Sequence, residues 1–257
     1  GAWPGGVGEL PPLPEPLHRR RRAEAARGCA LVLGLAAVLT SATLSVTSLV
    51  GGLPDALCWA CQALICLEAL TALGCLAGLL LVDPGVVRRS PQTCFPLPEA
   101  VAEQLARKGP QVELQNVVTG TGTFCVRCFV WRPTGRQGHH CSVCQRCVLD
   151  FDHHCMIFGR CIAGRPCWRG GRVAKDGSVA RAGNMCYFVT IIAMGCAGYV
   201  TCLASTVAAL LRALHRHMAE LLLPAAQFPA LERCPELRQG GPPAARRLTP
   251  RAGARGP

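Results

Sequence analysis

The stretch CVRCFVWRPTGRQGHHCSVCQRCVLDFDHHCMIFGRC, residues 125–161, holds seven cysteines and four histidines. Zinc in proteins takes four ligands, mostly sulfur and imidazole nitrogen, in a tetrahedral site. This density of both groups is enough for two zinc ions, with one cysteine and two histidines left over. A free cysteine beside a histidine and an aspartate is what nucleophilic catalysis needs. The stretch therefore predicts a zinc-stabilised module that also carries a reactive thiol.

The spacing of the cysteines within this stretch supports metal binding. The pairs Cys125/Cys128 and Cys141/Cys144 have the Cys-x-x-Cys spacing that lets both sulfurs point at one ion. One such pair is weak evidence, but the pattern is completed by four further ligand-type residues: His140, Cys147, His154 and Cys161. His139 is expected to be a solvated neighbour of His140 rather than a ligand.

Three long apolar runs indicate an integral membrane protein. Half of the residues are hydrophobic and 16% are charged. A helix needs roughly 20 residues to cross a bilayer, and runs of that length occur at residues 29–50, 56–82 and 185–211. Buried helices of a soluble core are the alternative, but three nearly uncharged runs seldom occur together in a soluble fold. Glu68, the one charge in the second run, is a functional candidate because it is ionisable. The favoured expectation is that it hydrogen-bonds between helices or faces the mouth of a cavity.

Basic residues beside these runs predict the orientation in the membrane. Four arginines at residues 19–22 precede the first run, Arg88 and Arg89 follow the second, and the connection at 51–55 has no lysine or arginine. The positive-inside tendency therefore places the cysteine-rich segment in the cytosol. Thiols stay reduced there, which favours metal ligation over disulfides. The net charge of +12 suits loops against anionic lipid, and nucleic acid is not an expected partner.

The tetrapeptide Asp152-His153-His154-Cys155 allows a local prediction. If it is extended, alternate side chains share a side, so His153 and Cys155 would lie together and His154 would face a zinc. His153 would then be a base for Cys155, whose thiolate is the reactive form. The sequence does not show how Asp152 could reach its neighbour His153. The alternative is that Cys155 is one more structural ligand.

Several motifs in and around the stretch occur together in one known family. They are the first Cys-x-x-Cys with Arg132-Pro133 after it, then His140-Cys141, Cys144, Cys147, Asp152 to Cys155, and Cys161; Asp83-Pro84-Gly85 after the second run; and the N-x-x-x-F element from Asn184 to Phe188. With these motifs the chain resembles the DHHC-type protein S-acyltransferases, or palmitoyltransferases. The resemblance implies an α-helical integral membrane protein with a cytosolic zinc module between the second and third spans.

The resemblance also implies a role for each matched residue. One structural zinc would be held by Cys125, Cys128, His140 and Cys147, and the other by Cys141, Cys144, His154 and Cys161. Cys155 would be the nucleophile, His153 its base and Asp152 the group that orients His153. Both ligand sets would be full, which leaves no open position for water at either ion.

The reaction implied by the resemblance is a ping-pong acyl transfer. Cys155 would take a long acyl chain from an acyl-CoA such as palmitoyl-CoA, and a cytosolic cysteine of a membrane-associated substrate protein would then receive it. The partners would be substrate proteins, acyl-CoA and the lipid bilayer. The location would be an endomembrane, Golgi or endoplasmic reticulum, with the catalytic module cytosolic.

Some positions depart from the family pattern. Met156-Ile157 stands where the family has Pro-Trp, and Arg160 stands where an asparagine commonly precedes the last zinc cysteine. At least three spans are predicted where the family has four, and no TTxE motif follows the last, so an incomplete or aberrant product is expected. These departures keep a second hypothesis open, a catalytically inactive, zinc-stabilised membrane scaffold of the same family.

The predicted organisation has seven segments, and a short amphipathic helix is expected over residues 99–107. The segments are a cytosolic basic N-terminus (1–28), transmembrane helices 1 and 2 (29–82), a cytosolic linker with the Asp-Pro-Gly motif (83–124), the cysteine-rich zinc domain (125–164), a flexible insert (165–183), transmembrane helix 3 (184–212) and a disordered or truncated tail (213–257).

Overall fold

The computed structural model describes residues 5–50, 53–107, 115–134, 137–164 and 183–222. It divides into two compact units, residues 1–210 and 211–257. The second unit is described only as the last turns of a helix that ends at Leu222. The predicted insert (except its last residue, Gly183) and the predicted tail beyond Leu222 lie outside the described residues.

The elements follow one another in a simple order. They are a short 3-10 helix Val7–Glu9, α1 His18–Ser45 with a π-helical turn Val46–Val50, α2 Asp55–Leu81, α3 Pro91–Cys94, α4 Glu99–Ala106, β1 Val117–Thr119, β2 Gly122–Cys125, β3 Val130–Pro133, β4 Gly138–Cys141, β5 Arg146–Leu149, β6 Phe151–Cys155, β7 Arg160–Ala163 and α5 Met185–Leu222. The short amphipathic helix predicted near residue 99 is confirmed as α4, which buries Val101 and Ala102.

Among the described residues, three helices are long and apolar enough to cross a membrane: His18–Leu49, Asp55–Leu81 and Met185–Leu222. They correspond to the three predicted runs. The first helix begins before its apolar run, and the last continues past Arg212, where a tail is predicted. Arginine, leucine and alanine are good helix formers, so a helix does not have to end where its apolar run ends.

The three long helices make two close contacts, one at a polar side chain and one at a glycine. Glu68 is 8% exposed, and its Oε1 accepts a hydrogen bond of 3.1 Å from the Thr201 hydroxyl of α5. The prediction of an interhelical bond at Glu68 is therefore confirmed. Gly198 of α5 lies so near that a Cβ there would be 3.3 Å from Leu39 of α1 and 3.4 Å from Ile65 of α2. Small residues permit this close approach of helix backbones.

The segment between α2 and α5 is built from three β-hairpins. β1, β2 and β3 form one antiparallel sheet, β4 pairs with β5, and β6 pairs with β7. Each sheet is small and buries few apolar side chains. The main cluster holds four cysteines together with Leu10, Val101, Phe124, Phe129 and Val130. A core this small would not fold stably without additional cross-links such as metal sites.

Two short motifs join the long helices to the hairpins. The Asp83 carboxylate accepts the N–H groups of Gly85 and Val86 at 2.9 and 2.8 Å, and Val86 bridges to Val148 of β5. Burial alone would raise the pKa of Asp83, but those N–H groups and the Arg88 guanidinium lower it, so the carboxylate stays ionised. The turn after α2 is thereby fixed to the second hairpin.

Asn184 makes the other junction, at the start of α5. Its side chain is fully buried, accepts the N–H of Ala163 at 3.0 Å and donates to the carbonyl of Cys161 at 2.9 Å. These bonds satisfy two backbone groups of β7 that would otherwise be buried without partners. The N-x-x-x-F element thus attaches the last hairpin to α5, whatever lies between them in sequence.

Candidate metal centres and active site

The three hairpins share one turn geometry at their tips. The carbonyl of the first cysteine in each turn accepts an N–H four residues later: Phe129 to Cys125 at 2.7 Å, Gln145 to Cys141 at 2.7 Å and Gly159 to Cys155 at 2.9 Å. The donor residue has positive φ in every case, 54°, 51° and 61°. The tip therefore presents a cysteine in the same place on all three hairpins.

The second and third hairpins are also repeats in sequence. HHCSVCQRCV at residues 139–148 aligns without a gap with HHCMIFGRCI at residues 153–162. His140 is the cross-strand partner of Cys147, and His154 is the cross-strand partner of Cys161. By this alignment Cys155 occupies the position of Cys141. The position of Cys144, the second tip cysteine, is taken by Phe158.

The structure brings eight of the predicted residues into two groups of four. The ligand atoms within each group lie within 4.8 Å of one another: Cys125, Cys128, His140 and Cys147 in group 1, and Cys141, Cys144, His154 and Cys161 in group 2. Each group combines the two tip cysteines of one hairpin with the cross-strand His/Cys pair of the next. Each group therefore links the tip of one hairpin to the paired strands of the next, so that the three hairpins are joined in series.

The donor geometry of both groups fits zinc. The Nδ1 of His140 lies 3.6, 3.2 and 4.0 Å from the sulfurs of Cys125, Cys128 and Cys147. In group 2 the Nδ1 of His154 lies 3.4, 3.5 and 3.8 Å from the sulfurs of Cys141, Cys144 and Cys161. Tetrahedral zinc with bonds of about 2.3 Å to sulfur and about 2.0 Å to nitrogen places its ligands about 3.5–3.8 Å apart.

The electrostatics of group 1 also favour a bound cation. Burial alone would lower the pKa of His140, but the neighbouring Cys125 and Cys128 sulfurs raise it to about 10. The pKa of the Cys125 thiol is lowered by hydrogen bonds from Cys128 and Cys147, which outweigh its burial. Sulfurs this close together share negative charge that needs a positive partner. A divalent cation supplies that charge and leaves His140 neutral.

Each metal-facing histidine has a further partner on its other ring nitrogen. The Nε2 of His140 lies 3.2 Å from Oε1 of Gln145, a neutral amide on the same hairpin. The Nε2 of His154 lies 3.1 Å from Oε2 of Glu24, a buried carboxylate of α1 that is only 2% exposed. Such partners fix the ring orientation of a ligating histidine. Sequence spacing gave no indication of Glu24, because 130 positions separate it from His154.

Cys155 lies in an apolar environment made by the three long helices and by its own hairpin. It is 5% exposed and belongs to a buried cluster whose other members are Val32, Leu76, Leu79, Phe158, Ile162 and Ile191. It is absent from both ligand groups. The alternative that Cys155 is a ligand of these groups therefore has no support in the geometry. The thiol instead faces the region where α1, α2 and α5 meet.

Asp152 and His153 form a direct pair. The Nδ1 of His153 lies 2.8 Å from Oδ2 of Asp152, and both side chains are partly exposed. The pairing register of β6 shifts between Phe151 and His153, so Asp152 sits at a β-bulge. A bulge re-aims the side chain of the extra residue, which explains how two neighbours in a strand can meet. The bulge is the feature that the sequence did not show.

His153 lies on the same face of β6 as Cys155, and α5 supports it. The Phe188 ring packs edge-on against the His153 ring at 5.5 Å between centroids, and against Phe158 at 6.3 Å. The described residues show no hydrogen bond between the His153 ring and the Cys155 sulfur. Catalytic hydrogen bonds are often long before substrate binds and shorten in the complex. Phe188 is a supporting residue that only the structure reveals.

The comparisons with known proteins agree with this site. Residues 118–166 match the family described as DHHC palmitoyltransferase. The cysteine-rich segment is a DHHC palmitoyltransferase domain. This DHHC domain covers all three hairpin tips, from Cys125 to Gly159, and both ligand groups.

Curated relatives match only part of this chain, and the chain spans no more than about an eighth of the length of those given below. Palmitoyltransferase PFA3 of Eremothecium gossypii is 50% identical over 40 residues, which is 16% of this chain and 12% of that protein. Palmitoyltransferase Hip14 of Drosophila melanogaster is 38% identical over 80 residues, 31% of this chain and 11% of that protein. Palmitoyltransferase ZDHHC15A of Danio rerio is 49% identical over 41 residues, again 16% and 12%. No solved structure matches the chain.

Proposed function

We propose that this protein is a membrane-embedded protein S-acyltransferase that works through an acyl-Cys155 intermediate. The observation that carries the proposal is the position of Cys155. It occupies a hairpin tip whose two equivalents each supply two metal-ligand cysteines, yet it lies outside both ligand groups and faces the three long helices. A cysteine kept free of metal, beside a histidine–aspartate pair, is arranged as a nucleophile.

The surroundings of Cys155 fit a long acyl chain. Four of its six buried apolar neighbours come from α1, α2 and α5, the helices whose length and composition suit a bilayer. Many large apolar side chains on these helices are exposed, among them Leu70 at 68% and Val200 at 62%, which a lipid environment would cover. An acyl chain attached at Cys155 would extend between apolar helices rather than into water. The hairpins and the Asp152–His153 pair would then lie on the cytosolic side, in an endomembrane of the Golgi or endoplasmic reticulum.

The proposed chemistry has two half-reactions. His153, held by Asp152, accepts the proton of the Cys155 thiol. The thiolate attacks the carbonyl carbon of an acyl-CoA thioester, the bond to the CoA sulfur breaks, and CoA leaves with the proton from His153. In the second half, a substrate protein's cysteine attacks the acyl-Cys155 thioester by the reverse route. Exchange between thioesters is nearly isoenergetic, so the protein has to supply positioning and thiolate formation.

A basic cavity near β6, the strand that carries Cys155, suits the phosphates of acyl-CoA. It has a volume of about 330 Å³, and its lining includes Asp83, Cys144 and Cys161 together with four arginines: Arg21, Arg88, Arg146 and Arg160. Arg160 is the cross-strand partner of Cys155. Oδ1 of Asp83 accepts two backbone N–H groups of its own turn, and Oδ2 pairs with Arg88 at 3.4 Å. One carboxylate against four arginines leaves the cavity with a surplus of positive charge. Guanidinium groups bind phosphate through paired hydrogen bonds.

The proposed zinc ions are structural. Each would be held by three thiolates and one imidazole, a full tetrahedral set that fixes the hairpins relative to one another. All of the chemistry above is assigned to Asp152, His153 and Cys155. The ions contribute by holding β6 and β7 in place.

The proposal is tested by acyl labelling of the purified, zinc-loaded chain in detergent with an alkyne analogue of palmitoyl-CoA. We expect a label on the chain that neutral hydroxylamine removes, because hydroxylamine cleaves thioesters. A folded chain with two zinc ions per molecule and no such label would contradict the enzymatic proposal. That result would favour the second hypothesis, an inactive zinc-stabilised membrane scaffold.

Replacing Asp152 with asparagine, Asp152→Asn, should slow acyl-enzyme formation by about 10²-fold. An amide at this position can hold the wrong tautomer of His153 and cannot stabilise the protonated ring, while general-base help is generally worth 10²–10⁴-fold. Rapid-quench labelling measures the rate. Asp150→Asn, at the neighbouring acidic residue, is the control and should keep the wild-type rate. An unchanged rate in Asp152→Asn would contradict the assigned role.

A further inference from the structure

The tip of the third hairpin contributes no residue to a ligand group, unlike the tips of the other two hairpins. The tips of the first and second hairpins each contribute two cysteines to a ligand group shared with the next hairpin, and a zinc ion bound there would hold them. The third hairpin is the last of the series, and Phe158 replaces its second tip cysteine. Its tip nevertheless carries Cys155, the residue whose position matters most for the proposed reaction. Another element therefore has to hold it.

The first turns of α1 provide that support through one face of the helix. Glu24, Gly28 and Val32, spaced four residues apart, are all buried and therefore lie on one face. A Cβ at Gly28 would be 2.6 Å from Cδ1 of Phe158, so only glycine lets the hairpin tip lie on the helix. The carbonyl of Gly159 accepts a 3.3 Å hydrogen bond from Nε of Arg21.

Glu24 lies on the same face and contacts His154, a member of group 2. Its Oε2 is 3.1 Å from Nε2 of His154, and its Oε1 accepts a 2.8 Å bond from Nε of Arg20 one turn earlier. Both carboxylate oxygens therefore have a partner. The glutamate side chain is only 3% exposed, and a carboxylate is seldom buried this deeply unless it is paired.

We infer that Glu24 is a positioning residue that holds His154 in its ligating orientation and so couples the first long helix to the strand that carries Cys155. The inference rests on the proposed function, because it concerns the zinc group of the DHHC domain. His154 uses Nδ1 toward the group 2 sulfurs, so the proton is on Nε2 and is donated to Glu24. A carboxylate acceptor fixes the ring and strengthens the histidine as a ligand. His154 immediately precedes Cys155, so a rotated imidazole would also displace the nucleophile.

The chain contains its own matched control for this role. His140 in group 1 has the same donor set, and its Nε2 faces the amide of Gln145 instead of a carboxylate. Gln145 is on the hairpin itself, whereas Glu24 is on α1. Replacing each partner separately distinguishes the helix-borne carboxylate from an ordinary local hydrogen bond.

The experiment measures zinc release from the full chain in detergent, using a chromophoric chelator. Glu24→Ala should release one of the two zinc ions about 10–100-fold faster than wild type, the usual effect of losing such a partner. Gln145→Ala should accelerate the other ion by a smaller factor, and the double variant should accelerate both. Glu24→Gln, which keeps size and a hydrogen-bond acceptor, should be intermediate. It provides the test if Glu24→Ala does not fold.

Two further readouts separate positioning from general stability. With ¹⁵N-histidine labelling, Glu24→Ala should shift the His154 side-chain signals and leave those of His140 in place. Acyl-enzyme formation should fall in Glu24→Ala even at zinc saturation and recover in Glu24→Gln. Wild-type zinc release and unchanged His154 signals in the Glu24 variants would overturn the inference. A wild-type chain that binds zinc in a Glu24-dependent way but takes no acyl label would overturn the proposed function alone.

Discussion

Cys155→Ser is expected to abolish hydroxylamine-sensitive acyl labelling, with a rate at least about 10³-fold below wild type. The hydroxyl group of serine is close in size to the thiol but remains protonated at neutral pH, and it is a far weaker nucleophile than a thiolate. Zinc content should stay at two ions per chain, because Cys155 belongs to neither ligand group. Labelling intensity and zinc content are measured on the same preparation.

The controls for this prediction come from the same apolar cluster. Cys29 of α1 and Cys75 of α2 pack against the residues around Cys155 and are partly buried. Cys29→Ser and Cys75→Ser should keep both the label and the zinc. Label that persists in Cys155→Ser would place the nucleophile elsewhere. A loss of one zinc ion in Cys155→Ser would instead show that Cys155 is a ligand, the alternative that its spacing alone allows.

The features that the sequence predicts well are those set by local pattern. The three apolar runs become the three long helices because twenty successive apolar side chains leave few other solutions. The structure places the eight ligand-type residues in the same two sets of four that the family resemblance implies. The hairpin repeat at residues 139–148 and 153–162 is also visible in the sequence. The Cys-x-x-Cys spacing alone does not reveal it, because the second copy lacks the second cysteine. It is the clearest sequence signal that Cys155 is equivalent to a ligand position.

The features that the sequence did not predict depend on contacts between distant segments. In the sequence, Glu24 is one acidic residue beside the arginines at residues 19–22. Only the packing of α1 on the third hairpin brings it to His154. Phe188 supports His153 because Asn184 fixes the start of α5 to β7. The bulge at Asp152 is a matter of strand register, which hydrophobic pattern specifies weakly in a strand this short.

Cys141→Ala is expected to remove the zinc of group 2 and to weaken that of group 1. Cys141 lies next to His140, and the hairpin of β4 and β5 supplies ligands to both groups. Structural zinc in small domains contributes about 10–16 kcal/mol of apparent binding free energy, comparable with the whole stability of a typical domain. The hairpins should therefore unfold locally, and labelling at Cys155 should be lost although Cys155 is intact. Zinc content, limited proteolysis of residues 115–164 and labelling are the measurements.

Cys94→Ala is the matched control for the zinc prediction. Cys94 is fully buried against the same hairpins, in the cluster with Phe124 and Cys147, but it belongs to neither ligand group. Losing its sulfur should cost about 1 kcal/mol, as for an average substitution, and leave two zinc ions bound. If Cys141→Ala kept both ions and its protease resistance, the serial linkage of hairpins through metal would be wrong. The position of Cys155 would then have to depend on the long helices alone, with Glu24, Gly28 and Phe158 as its remaining supports.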